Sequence, residues 1–380
     1  MLLDAIKNTP LLRPNGLPIS ANIGIICFKS AFSDINDVLL RNAQAIFVID
    51  ADAEQLIALN DSIFQQKKKK IPVLLFSEVS SRFDLIFVFY HNNDQYHTIG
   101  HCYRYMRNVG FDSFYTFIPI PHVDHNHISG AVSSVYYPTY YECYKDQLDK
   151  AYFMLSDEES KSIFAARIRA IVSGTIGYLK VSTYNEYFHP LIAPEYGDII
   201  LDGGVSEYID SQIAFIKTIG IDGKYFGFEP DPVGFCKAYE SIKKLAPYAN
   251  YEIIPLGLWH KRDKLLFEII GLGTRATEIK NEYAIECDVL SIDEFVESRN
   301  LNKVDFIKLD VEGAEFNALK GAIKTITKFR PKLAISVYHK LQDIYFIPLF
   351  LKDICIDYEF YLGHHHSSLF ETTLYAKPKN

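Results

Sequence analysis

Three predicted strands in the second half of the chain end in an acidic residue. Asp202 closes a short apolar run, Glu229 follows Tyr225–Phe228, and Asp310 follows Val304–Leu309. Because the carboxyl ends of parallel strands open onto one crevice of an α/β sheet, we expect the three carboxylates to face that crevice together. A carboxylate in this position accepts hydrogen bonds from ribose hydroxyls in related folds, so the spacing predicts a nucleoside site.

The residues that follow Asp202 and Glu229 suit close contact with a ligand. Gly203 and Gly204 let a ligand approach the backbone, and a helix start behind them offers unpaired N–H groups. Asp231, which is followed by a proline, has the pattern of a helix N-cap. The alternative is that these acids only cap local structure. We favour ligand contact for Asp202 and Glu229 taken together.

Further candidates for catalysis follow Asp310. The segment Asp310-Val-Glu312-Gly-Ala-Glu315 places Asp310 and Glu312 at the same predicted crevice. Glu315 is interpreted only as a favourable charge at the positive end of the next helix. Asp310 and His339 are the candidate general bases, since an unperturbed imidazole accepts a hydroxyl proton near neutral pH. A hydrogen-bonded structural histidine is the alternative for His339.

Phosphate-binding fingerprints are absent from the sequence. No G-x-G-x-x-G follows a predicted strand, and no G-x-x-x-x-G-K-[ST] occurs, which disfavours NAD(P) and nucleoside triphosphates. A nucleoside ligand without a pyrophosphate fits the acids and glycines better.

The elements that would position these residues form two α/β regions. Five short apolar runs in the first region alternate with helical stretches and predict strands at Ile23–Phe28, Ala45–Ile49, Ile71–Phe76, Leu85–Tyr90 and Phe114–Ile118. We predict a Rossmann-like domain over residues 1–125. Phe28–Phe32 occupies the turn where a dinucleotide site needs glycines, so no working dinucleotide site is expected there, although Asp50 resembles a ribose acid.

A helical connector is predicted over residues 126–190, with Ser156 and Glu159 as a capping box. The second α/β domain is predicted over 191–380, and it ends in a hairpin of Tyr358–Tyr361 and Thr373–Ala376. Apolar residues from Phe316 to Phe329 recur at helical spacing and predict one helix.

The C-terminal blocks resemble the FkbM family of S-adenosylmethionine-dependent methyltransferases. The residues that carry the resemblance are Asp202-Gly-Gly204, Phe228-Glu-Pro230, Leu290-Ser-Ile-Asp293, Phe306-Ile-Lys-Leu-Asp-Val-Glu-Gly-Ala-Glu315 and Arg330-Pro331. The resemblance implies a class I methyltransferase-type Rossmann-like sheet, preceded by a smaller Rossmann-like α/β domain and a helical connector. It also implies S-adenosylmethionine as cofactor and oxygen as the methyl acceptor.

By the same resemblance, Asp202, Gly203 and Gly204 would lie along the methionine part of the donor, and Glu229 would hold its ribose. Leu256 to Leu258, with Gly257 between them, would border the adenine, and Asp231 belongs to the expected cofactor site. Tyr208 stands where the family usually carries a second glycine, and its side chain would crowd the donor. A non-catalytic nucleotide-sensing or scaffold protein is therefore the alternative function.

The two groups of histidines predict no metal site, whereas for Asp310 the roles of general base and metal ligand are both left open. His364 to His366 are successive strand residues that point to opposite faces, and His122, His125 and His127 fit a polar loop.

Composition excludes several classes of partner. A net charge of −8 argues against duplex nucleic acid, and no apolar run is long enough to span a membrane. The N-terminus resembles no targeting signal, and six scattered cysteines fit a reducing compartment, so a cytoplasmic location is expected. The expected partner is a small-molecule or glycan substrate, with homo-oligomerisation left open.

Overall fold

The computed structural model describes residues 2, 6, 23–27, 43–48, 72–75, 85–89, 115–117, 140–173, 176–205, 209–270, 273–277 and 284–379. The chain divides into two compact units. The first consists of Met1–Asp146, Ser162–Lys180 and His366–Phe370, and the second of Gln147–Lys161, Val181–His365 and Glu371–Asn380. The boundaries predicted near residues 125 and 190 stay predictions.

The first unit is built on a five-stranded parallel sheet in the order β3-β2-β1-β4-β5. Its strands are β1 (Ile23–Cys27), β2 (Ala43–Val48), β3 (Val73–Leu75), β4 (Leu85–Phe89) and β5 (Tyr115–Phe117). All five predicted strands are confirmed. The turn Phe28–Phe32 and Asp50 lie outside the described residues.

Two helices lie in the predicted connector: α1 (Tyr140–Met154) and α2 (Glu158–Ser173), followed by a 3₁₀ turn at Ile176–Tyr178. The predicted capping box is wrong by one residue. Asp157 caps α2 by accepting the Ser160 amide at 2.7 Å. The Ser156 hydroxyl instead accepts the amide of Phe360 at 3.0 Å.

The second unit contains a seven-stranded sheet in the order β15-β16-β14-β13-β6-β7-β8. Its strands are β6 (Ile199–Gly203), β7 (Lys224–Phe228), β8 (Tyr251–Ile254), β13 (Phe306–Leu309), β14 (Lys332–Ser336), β15 (Tyr358–His364) and β16 (Thr372–Pro378). Strands β6, β7, β8, β13 and β14 are parallel, whereas β16 is antiparallel to both β14 and β15. This is the α/β sheet that the sequence predicts.

The helices of the second unit are α3 (Asp210–Ile219), α4 (Pro232–Leu245), α5 (Ile292–Ser298), α6 (Glu315–Lys320), α7 (Ile323–Phe329) and α8 (Asp343–Ile354). A buried core that includes Ile200, Phe215, Tyr225 and Phe306 packs on the sheet. Among the described residues, no helix has the length and apolar character needed to cross a membrane.

The predicted helix from Phe316 to Phe329 is wrong in one respect, because α6 and α7 are separated at Gly321 and Ala322. A Cβ atom at Gly321 would lie 2.2 Å from the carbonyl oxygen of Trp259. The Gly321 carbonyl accepts the amide of Asp293 at 2.8 Å. Packing against α5 therefore ends α6.

A second sheet lies between β8 and α5, in a region where the sequence predicts no strands. It has the order β11-β10-β12-β9 and consists of β9 (Gly257–Leu258), β10 (Asp263–Ile270), β11 (Gly273–Thr277) and β12 (Ala284–Leu290). Phe267, Cys287 and Val289 form its small buried core.

Candidate active site

The strand order of the large sheet reverses at β6, which lies between β7 and β13. The register pairs Asp202 of β6 with Gly227 of β7 on one side and with Lys308 of β13 on the other. Ligands of open α/β sheets bind outside the carboxyl ends of the strands at such a reversal. The carboxyl ends of β6, β7 and β13 therefore define the candidate site.

Asp202 is fully buried and is occupied by protein groups. Its carboxylate lies 3.0 Å from the Lys308 ammonium and accepts hydrogen bonds from the Tyr225 hydroxyl at 2.6 Å and the Gln212 amide at 3.4 Å. Burial raises the pKa of Asp202, and Lys308 opposes that rise. Asp202 therefore connects β6 to Tyr225 of β7 and to Lys308 of β13, and its carboxylate is inaccessible to solvent.

Lys308 also fixes the two glycines after Asp202. Its ammonium donates to the carbonyls of Gly203 at 3.0 Å and Gly204 at 2.8 Å. Gly204 has a φ of +85°, and a Cβ atom there would lie 1.8 Å from the Asp310 carbonyl oxygen. At Gly203 a Cβ atom would meet the Leu258 side chain at 2.8 Å. Close packing within the protein therefore favours glycine at both positions.

Glu229 and Asp231 follow β7 and have different surroundings. Asp231 is the N-cap of α4, as predicted, and its carboxylate accepts the amides of Val233 at 3.3 Å and Gly234 at 2.8 Å. Glu229 is 8% exposed, and one of its oxygens accepts the Asp231 amide at 2.9 Å. Burial raises the pKa of Glu229 to about 7. Of the two acids, Glu229 is the one that caps no helix.

Leu256 and Gly257 follow β8. Gly257 is buried in β9, where it pairs with Val289, and a Cβ atom there would lie 2.9 Å from the Val289 side chain. Leu256 is half-buried. Leu256 therefore has side-chain surface to offer a ligand, whereas Gly257 serves the packing of the small sheet.

Asp310 ends β13 and is held by two tyrosines. The Tyr187 hydroxyl donates to it at 2.7 Å and the Tyr338 hydroxyl at 3.2 Å. Burial alone would raise the pKa of Asp310, but His339, Lys308 and the Tyr187 hydroxyl together lower it. Asp310 is therefore an ionised hydrogen-bond acceptor and a weak base.

His339 lies among carboxylates and is only 4% exposed. Its Nδ1 is 2.9 Å from Glu315, and its Nε2 is 3.2 Å from Glu312 and 3.5 Å from Asp310. Burial lowers the pKa of His339, yet Glu315 and Glu312 raise it well above its usual range. A raised pKa favours the protonated imidazole, which does not suit the predicted role as a general base.

Glu315 is a site residue that the sequence analysis missed by assigning it only a helix-dipole role. It is buried, and its Oε1 accepts the amides of Val311 at 2.8 Å and Gly313 at 3.3 Å. Glu312 and Gly313 have φ values of +53° and +92°, so the chain turns back at this point and brings Glu315 to His339. The glycine between two acids was the available signal.

The predicted connector also contributes residues to this site. Glu186 and Tyr187 precede β6, and the Glu186 carboxylate accepts the Thr373 hydroxyl at 2.9 Å. Burial and the charge of Glu371 raise the pKa of Glu186 well above its usual range, and burial and Asp310 raise that of Glu371. Four acids therefore surround the end of β13: Glu186, Asp310, Glu312 and Glu371.

The three successive histidines contact three different groups. His364 pairs with Thr372, His365 with the Tyr375 hydroxyl, and His366 with Ser368. His122, His125, His127 and Tyr208 lie outside the described residues.

Part of the chain that contains this site matches a known family model. Residues 202–367 match the model of the methyltransferase FkbM domain, from Asp202 at the end of β6 to a point beyond His339. The match covers somewhat less than half of the chain.

Two known proteins are similar to this chain. A structure of methyltransferase FkbM from Methylobacillus flagellatus KT superposes with a TM-score of 0.64 at 17% identity, covering 99% of this chain and 98% of that one. This likeness shows the fold. The hexuronic acid methyltransferase AglP of Haloferax volcanii is 33% identical over 99 residues, which cover 25% of this chain and 40% of the relative. Every predicted site residue lies inside the FkbM domain, whereas Glu186, Tyr187 and Glu371 lie outside it.

Proposed function

We propose that this protein transfers a methyl group from S-adenosylmethionine to a hydroxyl of a sugar, a glycan precursor or another small metabolite. The observation that carries the proposal is the placement of Glu229 and Asp310 on either side of β6, at the strand reversal of an FkbM domain. One carboxylate suits the donor, and the other suits an acceptor hydroxyl.

The residues that surround β6 and β7 fit the donor. Glu229 would hold the ribose, because its buried carboxylate caps no helix and retains lone pairs for hydroxyl donors. The backbone of Gly203 and Gly204 would lie along the methionine part, held in place by Lys308 and Asp202. Leu256 would contact the adenine. When bound, S-adenosylmethionine supplies an electrophilic methyl group on its sulfonium.

The residues that surround β13 would orient the acceptor. Asp310 is ionised and 19% exposed, so it can accept a hydrogen bond from the attacking hydroxyl and align it. Tyr187 and Tyr338 hold Asp310 from the protein side. Orientation of this kind supplies much of the rate enhancement of an in-line displacement.

The polar groups of the acceptor side support a hydroxyl-rich substrate. Glu186, Glu312 and Glu371 add hydrogen-bond acceptors beside Asp310, and an acceptor with several hydroxyls satisfies them without bringing further negative charge. The similarity to a hexuronic acid methyltransferase over 99 residues supports a sugar acceptor.

Calorimetric titration with S-adenosylmethionine and S-adenosylhomocysteine tests the donor half of the proposal. We expect one site per chain, and Glu229→Ala should lose about 30- to 150-fold in affinity, the worth of two charge-assisted hydrogen bonds. Transfer of labelled methyl to a panel of neutral sugars and nucleotide sugars tests the acceptor half. Absence of binding by either nucleoside would favour the non-catalytic scaffold.

A further inference from the structure

Three side chains of the second unit bring ligand-type atoms together next to the acceptor side. Asp310, Glu315 and His339 each offer one atom, and these atoms lie within 4.8 Å of one another. Two carboxylates and one imidazole form a ligand set for first-row divalent metals. We propose that these three residues bind one divalent transition-metal ion, with coordination positions left open towards the acceptor.

Some buried polar atoms of these three side chains lack an aligned hydrogen bond, which is consistent with a metal ion as their partner. The Oε2 atom of Glu315 is buried and makes no hydrogen bond, and neither buried ring nitrogen of His339 makes an aligned one. Native proteins rarely leave buried polar atoms in this state, because such atoms lose their bonds to water without replacement. His339 Nδ1 and Nε2 do lie close to carboxylate oxygens, at 2.9–3.5 Å.

One of those contacts, between His339 Nε2 and Asp310, has the spacing of two neighbouring ligands on a metal. Ligand atoms that each lie about 2.1 Å from one ion are separated from their neighbours by roughly 3.0–3.5 Å in tetrahedral or octahedral geometry. The Nε2 atom of His339 lies 3.5 Å from Asp310 Oδ1. Metal binding would displace the proton from the ring nitrogen of His339 that serves as ligand, because only a neutral imidazole offers a lone pair.

The surroundings of the ligands hold them in place without an ion. Tyr187 and Tyr338 fix the Asp310 carboxylate. The amides of Val311 and Gly313 fix the Oε1 atom of Glu315 and leave its Oε2 for another partner. Outer hydrogen bonds that orient ligands in this way accompany metal sites in general and strengthen them.

The ligand types indicate which ions would bind. The three residues include no thiolate, which disfavours the softest ions, and the single imidazole favours a transition metal over magnesium or calcium. Mn²⁺ accepts both carboxylate and imidazole ligands, and Zn²⁺ is the competing choice. Under the proposed function, such an ion would lower the pKa of an acceptor hydroxyl that coordinates it, a task for which Asp310 is a weak base.

Titration of the full chain with metal alone tests the site. Protein treated with chelator and dialysed is titrated with Mn²⁺, and free Mn²⁺ is followed by electron paramagnetic resonance. We expect saturation at one ion per chain. Asp310→Asn and Glu315→Gln preserve side-chain shape and should each weaken binding at least about tenfold. Asp263→Asn is the matched control, because Asp263 is an exposed acid of β10 that pairs with Lys261 and does not belong to the proposed site, and it should stay within about threefold of wild type.

A second measurement needs no variant. Co²⁺ substitution of the wild type should give a d–d absorption spectrum of nitrogen and oxygen ligation. Absence of saturable Mn²⁺ or Zn²⁺ binding would overturn the proposal, as would equal weakening by all three substitutions, which indicates general attraction to acidic residues.

S-adenosylhomocysteine affinity is measured on the same proteins. Donor binding without metal binding would refute the metal site alone, whereas metal binding without donor binding would refute the proposed function.

Discussion

Glu229 connects donor affinity to pH. Burial raises its pKa to about 7, and ribose hydroxyls donate more strongly to its ionised form. If only the ionised form binds well, the competent fraction falls from about 0.9 at pH 8 to about 0.1 at pH 6. The affinity for S-adenosylhomocysteine should then fall about tenfold over this range.

Glu229→Gln separates this effect from titration of the ligand. The amide keeps the shape of the side chain but carries no charge, so affinity should be reduced about tenfold or more at pH 8 and should approach that of wild type near pH 6. Any titration of the ligand appears in both proteins and cancels in their ratio. Calorimetry at four or five pH values measures both curves.

Stability provides an independent check of the same carboxyl group. A folded-state pKa of about 7, above the ordinary value of 4.5, means that the folded state holds the proton more tightly than the unfolded state. The contribution to stability is therefore present below pH 4.5 and is lost as pH rises through 7, up to about 3 kcal/mol. Glu229→Gln should unfold at higher temperature than wild type at pH 8 and at a similar temperature at pH 5. A wild-type affinity that is constant within twofold between pH 6 and pH 8 would refute the reasoning, as would a Glu229→Gln variant whose affinity equals that of wild type at pH 8.

Three further predictions follow from the same geometry. Asp310→Asn should leave donor affinity nearly unchanged and lower turnover by ~10²–10⁴, measured by labelled methyl transfer to an accepted substrate; near-wild-type turnover would remove Asp310 from the mechanism. Lys308→Met leaves Asp202 buried without its partner and should lower the free energy of unfolding by about 3–5 kcal/mol in urea titration, and a loss below about 1 kcal/mol would contradict the ion pair. Asp293→Ala removes acceptors for two backbone amides and a hydroxyl at the start of α7, which should lower stability by about 1–2 kcal/mol without changing donor affinity.

The strands and their terminal acids were predictable because their signal is local. A buried run of Ile, Leu or Phe that ends near Asp202, Glu229 or Asp310 specifies a strand and predicts the end at which a ligand would bind. The N-cap at Asp231 was also predictable, since the proline after it restricts the backbone to a helix start. In each case the neighbouring residues determine the structure.

The contacts of the site depend on parts of the chain that are distant in sequence. Tyr187 donates a hydrogen bond to Asp310, which lies 123 positions later in the sequence, and no local pattern at either residue predicts this contact. Glu315 reaches His339 only because the backbone turns back at Glu312 with a positive φ, which is uncommon for a residue with a side chain. The break between α6 and α7 at Gly321 likewise reflects the approach of Trp259. Tertiary packing overrode the local helical pattern there.

The hydrogen bonds from Lys308 to the carbonyls of Gly203 and Gly204 have a consequence for how the protein folds. Lys308 contacts the Gly203 carbonyl across 105 positions of sequence, so the loop acquires its shape only after β6 and β13 have paired. Pairing across so long an intervening chain has an entropic cost, so we expect this event late in folding. Recovery of nucleoside binding after dilution from denaturant should therefore lag behind recovery of helical signal. Ligand binding would then mark completion of the central sheet during refolding.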